Sequence, residues 1–186
     1  MSEESTYGAF EPFAPPIETY EGLRDAKAAL RLLPIKVLPS FLYPTKKRGR
    51  QPPVFHFGYP VTYEWAQSYA EKEGLIVYMD PDLGWGDGTM DITTTLANIT
   101  KYINKKTGVT SISVRDAGIT PDRNLAKQKK AFWIISLASN YLGSSPVIPE
   151  KEDVDAIQEF LGMPEGPMWH LDADEPVWAN RKLHRR

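Results

Sequence analysis

The chain has 186 residues, 41% hydrophobic and 25% charged, with a formal net charge of −2. That length suits one domain with its own core, and the composition is that of a globular protein rather than a disordered one. The near-neutral charge gives no overall pull toward nucleic acid or membrane, and the absence of cysteine excludes disulfides, thiolate nucleophiles, thiolate zinc sites and iron–sulfur clusters.

Residues 1–17 mix Glu, Ser and Pro with aromatics. They read as an arm laid across the domain by Phe10 and Phe13. Their acidic character lacks the basic and apolar regions of a signal peptide, and no apolar run along the chain reaches bilayer-spanning length. A first helix is expected over 18–33, where Leu23, Ala26, Leu30 and Leu33 recur at helical spacing until Pro34 stops it. IKVLPSFLYP, cut by Pro39 and Pro44, reads as an edge strand or an extended apolar segment.

The polar, basic segment 45–53 is a surface loop. After it, VTYEWAQSYAEKEGL carries the strongest helix signal in the chain. Thr62 is placed to cap it, Val61 to staple onto Ala66, and Gly74 to end it in the left-handed conformation. LIVYM (75–79) then reads as a buried strand ended by Asp80-Pro81. A second helix follows the aspartate-rich loop, with Ile92, Leu96, Ile99 and Ile103 on one stripe and Gly108 as its stop. Its threonines have low helix propensity, so burial must hold it. Asn98-Ile99-Thr100 matches a glycosylation sequon, which has no use without secretion.

VTSISVR alternates like a strand. AFWIISLAS is apolar almost throughout, which favours a strand buried on both faces over the end of a long helix from Thr120. PEKEDVDAIQEFLG closes as a helix from Pro149 to Gly162, and the tail adds one strand before a basic end. The expectation is a small mixed sheet covered by helices: α+β, with α/β as the alternative. It forms a single domain over 18–178, between the 1–17 arm and a basic tail at 179–186.

FHFGYPVTYEWAQSYAEKEGL, AFWIISLASNY and IPEKEDVDAIQEFLGMPEGPMWHLD together resemble small intracellular proteins of mushroom-forming fungi. In these an apolar segment ending in Asn-Tyr precedes an acidic helix and a Leu-Gly…Pro-x-Trp ending. The resemblance implies an intracellular fungal protein and brings no catalytic residue with it.

Four stretches are candidates for chemistry. In YMDPDLGWGDGTMD, an EF-hand with Asp80 at position 1 puts Asp82 at 3 and Asp91 at 12. Gly84 and Trp85 then stand where a ligand and the turn glycine are needed, so the EF-hand is excluded. The loop also lacks the lysine and hydroxyl of a phosphate-binding loop. It reads as a strand-to-helix turn, with Asp80, Asp82, Trp85 and Asp87 as the rim of a small-molecule or cation site at the strand ends, if the protein has one. In WHLDADE, an extended backbone puts His170, Asp172 and Asp174 on one side, able to hold a divalent metal or to do acid–base work; the competing reading is a solvated face. Lys46, Lys47, Arg48 and Arg50 form a basic run suited to a nuclear import receptor or a polyanion, or simply to a solvated loop. Phe55, Phe57, Tyr59, Tyr63 and Trp65 read as core packing, and His56 among them as a hydrogen-bonded structural histidine. No serine sits in a Gly-x-Ser-x-Gly elbow.

These features assign no metal, cofactor or catalytic residue. The preferred expectation is an intracellular, cytoplasmic binding or interaction protein with a protein partner, no membrane attachment and no catalytic centre. The alternatives are an enzyme with its site around 80–91, and a nuclear or nucleic-acid-associated protein working through 46–50.

Overall fold

The computed structural model describes residues 34–45, 51–80, 82, 88–117, 133–141 and 148–175. The arm, the helix expected over 18–33 and the basic tail lie outside the described residues. Within them a short 3-10 turn (Ser40–Leu42) precedes β1 (Phe55–Val61), α1 (Tyr63–Glu73), α2 (Ile92–Thr107), β2 (Ser113–Asp116), β3 (Trp133–Ser139), α3 (Lys151–Leu161) and β4 (Met168–Leu171). The fold is α+β.

The helices begin and end where their caps dictate. Thr62 Oγ1 accepts the Trp65 amide at 3.2 Å, and Gly74, at φ 68°, returns its own amide to the last turn of α1. Asp91 caps α2 by accepting both the amide and the hydroxyl of Thr94. The threonines of α2 are held by burial, as their propensity requires. Thr95 and Thr100 are buried, and Thr100 returns its hydroxyl to the Leu96 carbonyl at 2.8 Å. That places the glycosylation sequon inside a packed helix.

Two strand expectations change. LIVYM is not a strand of the sheet: it makes one isolated bridge, Tyr78 to Met90, and Tyr78 is 54% exposed. Its backbone is satisfied elsewhere. The Val77 amide donates to Thr95 Oγ1 and the Val77 carbonyl accepts the Asp91 amide. Conversely β1, which the sequence reading took only as a set of aromatics, is a central strand. Gly58 and Pro60 disguise it, yet each has its place. β4 pairs with β1 only through Gly58, so Pro60 lies beyond the stretch paired on both sides.

The sheet order is β2-β3-β1-β4, and every pairing is antiparallel. It is therefore neither mixed nor of the α/β type, because both neighbours of β1 run against it. Tyr59, Val61, Ile135 and Leu137 face the three helices and share one core with Ala66, Leu96, Ile99, Ile103 and Ile157. At the outer edge of β4, Trp169 exchanges both backbone hydrogen bonds with Ile35.

The sheet also closes on itself. β2 ends beside Trp133 and the Val61 end of β1, whereas β4 ends beside Phe55 at the other end. In a flat sheet these corners are diagonally opposed. Here Ala117 bridges Asp172, and the Ala173 amide donates to the Asp116 carbonyl at 3.1 Å. Strand twist draws diagonal corners together, so the four strands are rolled, with the helices outside. Since the helix-facing residues are outside, His56, Ser136, His170 and Asp172 point into the roll.

Two features permit the curvature. The register slips between Phe57 and Gly58, which pair with Ala138 and Ser136 and leave Leu137 as the extra residue of a bulge. At the same point a Cβ on Gly58 would stand 2.1 Å from the Ile135 carbonyl oxygen, too close for any side chain. Gly58→Ala is expected to cost about 3 kcal/mol of stability or to prevent folding altogether. A urea denaturation midpoint unchanged from the parent protein would contradict this account.

Candidate functional site

The structure divides the sequence candidates. Asp80 and Asp82 are exposed, and Asp80 Oδ1 accepts the Asp82 amide at 2.9 Å, a local turn bond. The base of this loop is closed by Met79 to Thr89 and Asp91 to Val77 backbone bonds, so it springs from a single bridge rather than from a sheet strand. Asp91 is spent as the α2 cap. Trp85 and Asp87 lie outside the described residues, as do Lys46, Lys47, Arg48 and Arg50. Among the described residues, no group of three or more His, Asp or Glu is placed to hold a metal ion.

His170 and Asp172 are buried, not part of a solvated face, and Asp174 does not join them. The chain turns after Asp172, and Asp172 Oδ1 makes that turn by accepting the amides of Asp174 and Glu175 at 2.7 and 2.9 Å. Asp174 is thereby left exposed. What the two interior residues meet is His56. It stands directly opposite His170 across the β1–β4 pair. Its Nε2 lies 2.8 Å from Asp172 Oδ2, and its Nδ1 lies 3.2 Å from Ser136 Oγ on β3. A row Ser136–His56–Asp172 thus spans three adjacent strands inside the roll.

The electrostatics fix most of the protons. Burial raises the Asp172 pKa, but the His56 hydrogen bond and the amides of Glu175 and Asp174 outweigh it, and the net shift is downward. An ionised Asp172 only accepts, so His56 Nε2 is the donor. Ser136 has one proton and two acceptors in reach, His56 Nδ1 and the Ala138 carbonyl at 3.1 Å. The Ser136 hydroxyl therefore links the ring to the backbone of its own strand. His170 behaves differently. Burial pushes its pKa down to about 4 despite a backbone hydrogen bond at Gly58, with His56 adding a smaller push the same way. It is neutral at physiological pH.

Ser, His and Asp in a row suggest nucleophilic catalysis, so the geometry has to be compared with that requirement. A Ser–His–Asp hydrolase sets the serine on Nε2 and the acid on Nδ1; here the ring is the other way round. Ser136 is 3% exposed, lies in the middle of an interior strand, and has a carbonyl of its own strand as a second partner. The arrangement can hold protons and lock three strands together. It offers no open approach to the hydroxyl.

A second buried knot escaped the sequence reading. Asn140 Oδ1 accepts the Phe55 amide at 2.8 Å, and its Nδ2 donates to the carbonyls of Leu42 and Pro53. The Tyr141 hydroxyl donates to the Pro52 carbonyl beside it. The available signal was a polar Asn-Tyr ending an apolar run, just as a serine in the middle of that run was the signal for Ser136. The aromatic set packs as expected: Phe57 lies against Trp169 with ring centres 5.4 Å apart, and Trp65 stacks on Tyr69 at 5.0 Å.

The row predicts an asymmetry between two variants. Asp172→Ala strips partners from His56 and two amides and should cost about 3–5 kcal/mol. Asp172→Asn keeps an oxygen for the turn and lets the His56 tautomer invert toward Ser136, so it should cost less than half as much; equal losses in urea denaturation would refute the proton assignment. Compared with known proteins, the chain matches no family model, no curated protein and no solved structure, and its functional reading rests on this geometry.

Proposed function

We propose that this chain is a binding or interaction protein without a catalytic centre, working in the cytoplasm. The observation that carries the reading is the inward wiring of the Ser136–His56–Asp172 row. The residue types most suited to catalysis are hydrogen-bonded to one another inside the roll, with the serine buried. A buried polar network satisfied in this way specifies packing. The fungal resemblance and a cysteine-free sequence support an intracellular setting, where thiol chemistry and disulfides are not called on. The enzyme alternative at 80–91 has less behind it, since Asp80 is engaged in a turn and Asp91 in a helix cap.

The test is covalent. The folded protein is treated with a fluorophosphonate probe, which labels activated serines, and its intact mass is measured. No adduct on Ser136 is expected. An adduct there that disappears in His56→Gln would replace this reading with a serine hydrolase.

A second reading, polyanion contact or nuclear import through 46–50, is favoured by how the flanks of that segment are held. The Gln51 side chain bonds both backbone groups of Thr45, accepting its amide at 3.1 Å and donating to its carbonyl at 3.0 Å. Asn140 ties Leu42 to Pro53 one step further in. The two residues that flank the basic run Lys46-Lys47-Arg48-Gly49-Arg50, Thr45 and Gln51, are therefore clamped to each other. On this reading, replacing Lys46, Lys47, Arg48 and Arg50 by alanine lowers the salt slope of duplex DNA binding by about three and a half. An unchanged slope removes it.

A further inference from the structure

We propose that the outer face of the helix layer is a self-association surface, on which the lysine stripe of α2 meets the acidic stripe of α3 in a second copy of this chain. This rests on the binding role proposed above and names its partner.

The two helices carry opposite charge. α2 contains Lys101, Lys105 and Lys106 and no carboxylate. α3 contains Glu152, Asp153, Asp155 and Glu159 with a single base, Lys151, which is already paired with Asp155. The charges are also arranged in stripes. Thr94, Ala97, Lys101 and Lys105 recur at helical spacing on the exposed side of α2, opposite the buried Leu96, Ile99 and Ile103. Glu152, Asp155, Ala156 and Glu159 do the same on α3, opposite the buried Ile157 and Leu161.

Within one molecule these stripes are poorly compensated. Lys101 and Lys105 stand one turn apart and repel each other, as do Asp155 and Glu159. Among the described residues neither lysine has an ion-pair partner, and neither has Glu152 or Glu159. Ala97 and Ala156, both exposed, keep the middle of each stripe low, which lets a facing helix come close.

The fold sets the stripes beside each other. The rings of Tyr102 on α2 and Phe160 on α3 meet at 5.7 Å, and Ile103 and Ile157 share the core beneath them. A two-fold axis lying in the surface, between the two helices, puts α2 of one copy on α3 of the other and repeats the contact in reverse. The face is thus complementary to itself, and opposite charges meet twice. A net charge of −2 adds little repulsion between copies. A polyanion would use only the lysines and a basic peptide only the acids; a second copy uses both. The face points away from the Ser136–His56–Asp172 row, so pairing leaves the roll as it is.

The test is sedimentation velocity on the intact protein. A dimer is expected by about 100 µM protein at about 50 mM NaCl, and its dissociation constant should rise at least about tenfold at about 500 mM NaCl as the charges are screened. Lys101→Glu combined with Lys105→Glu sets acid against acid at both contacts and should weaken the dimer about a hundredfold. Glu152→Lys combined with Glu159→Lys should weaken it equally, with cation against cation. Mixed together, these two variants match at both contacts and should form a heterodimer within about tenfold of the wild-type affinity. A surface built for a polyanion or a basic peptide gives no such recovery. A wild-type chain that stays monomeric, a dimer indifferent to salt, or variants that do not recombine would each overturn the self-association. Those outcomes leave the binding role standing, because that role is decided separately by the Ser136 adduct. Should either variant fail to fold, the salt series on the wild-type chain decides alone.

Discussion

A carboxylate inside a small sheet is tolerable only when donors meet its charge on every side, because desolvation otherwise costs more than the fold can supply. Asp172 meets that condition with His56 on one oxygen and two turn amides on the other. Much of the architecture follows from it. The turn amides are available only because the chain reverses after β4, and that reversal carries Ala173 to Asp116 and joins the edges of the sheet. Edge strands are otherwise open templates for pairing with other chains; here one corner of the sheet's own edges is used up internally.

The helices were legible in the sequence because their signals are local. Thr62, Asp91, Gly74, Gly108 and Gly162 each act within a few residues of their own position, and each is where the chain uses it. β3 was legible for a related reason: an apolar run buried on both faces has one periodicity and needs no partner to be recognised. β1 was not. Gly58 is dictated by a carbonyl on another strand, and Pro60 is permitted by where β4 stops, and both facts belong to the assembled sheet. LIVYM failed in the opposite sense, having the composition of a strand but finding its hydrogen bonds in a helix start.

The candidate site was half legible. His170 and Asp172 were singled out together, and an extended backbone does put them on one side. Their burial could not be read, because it comes from the rolling of the sheet. Ser136 showed itself only as one hydroxyl in an apolar run. A buried hydroxyl needs a partner, but nothing along the chain says that the partner is a histidine eighty residues earlier. Asn140 is the same case, with acceptors in two segments that precede β1.

The position of β1 also has a consequence for how the chain is made. It is central in space but first among the strands of the described residues, and its pairings begin at Trp133 and end at Leu171. While the ribosome is still adding residues 62–132, α1 and α2 can form and pack from local contacts, but Phe55, Phe57 and Tyr59 have no strand to lie against. The sheet is therefore a late event, with high contact order, and the roll is the last part of it because its closing residues follow β4. An aromatic strand waiting that long in a nascent chain is a natural client for a chaperone. The interruption of that strand by Gly58 and Pro60, required by the finished sheet, also makes it a poorer template for aggregation in the interval.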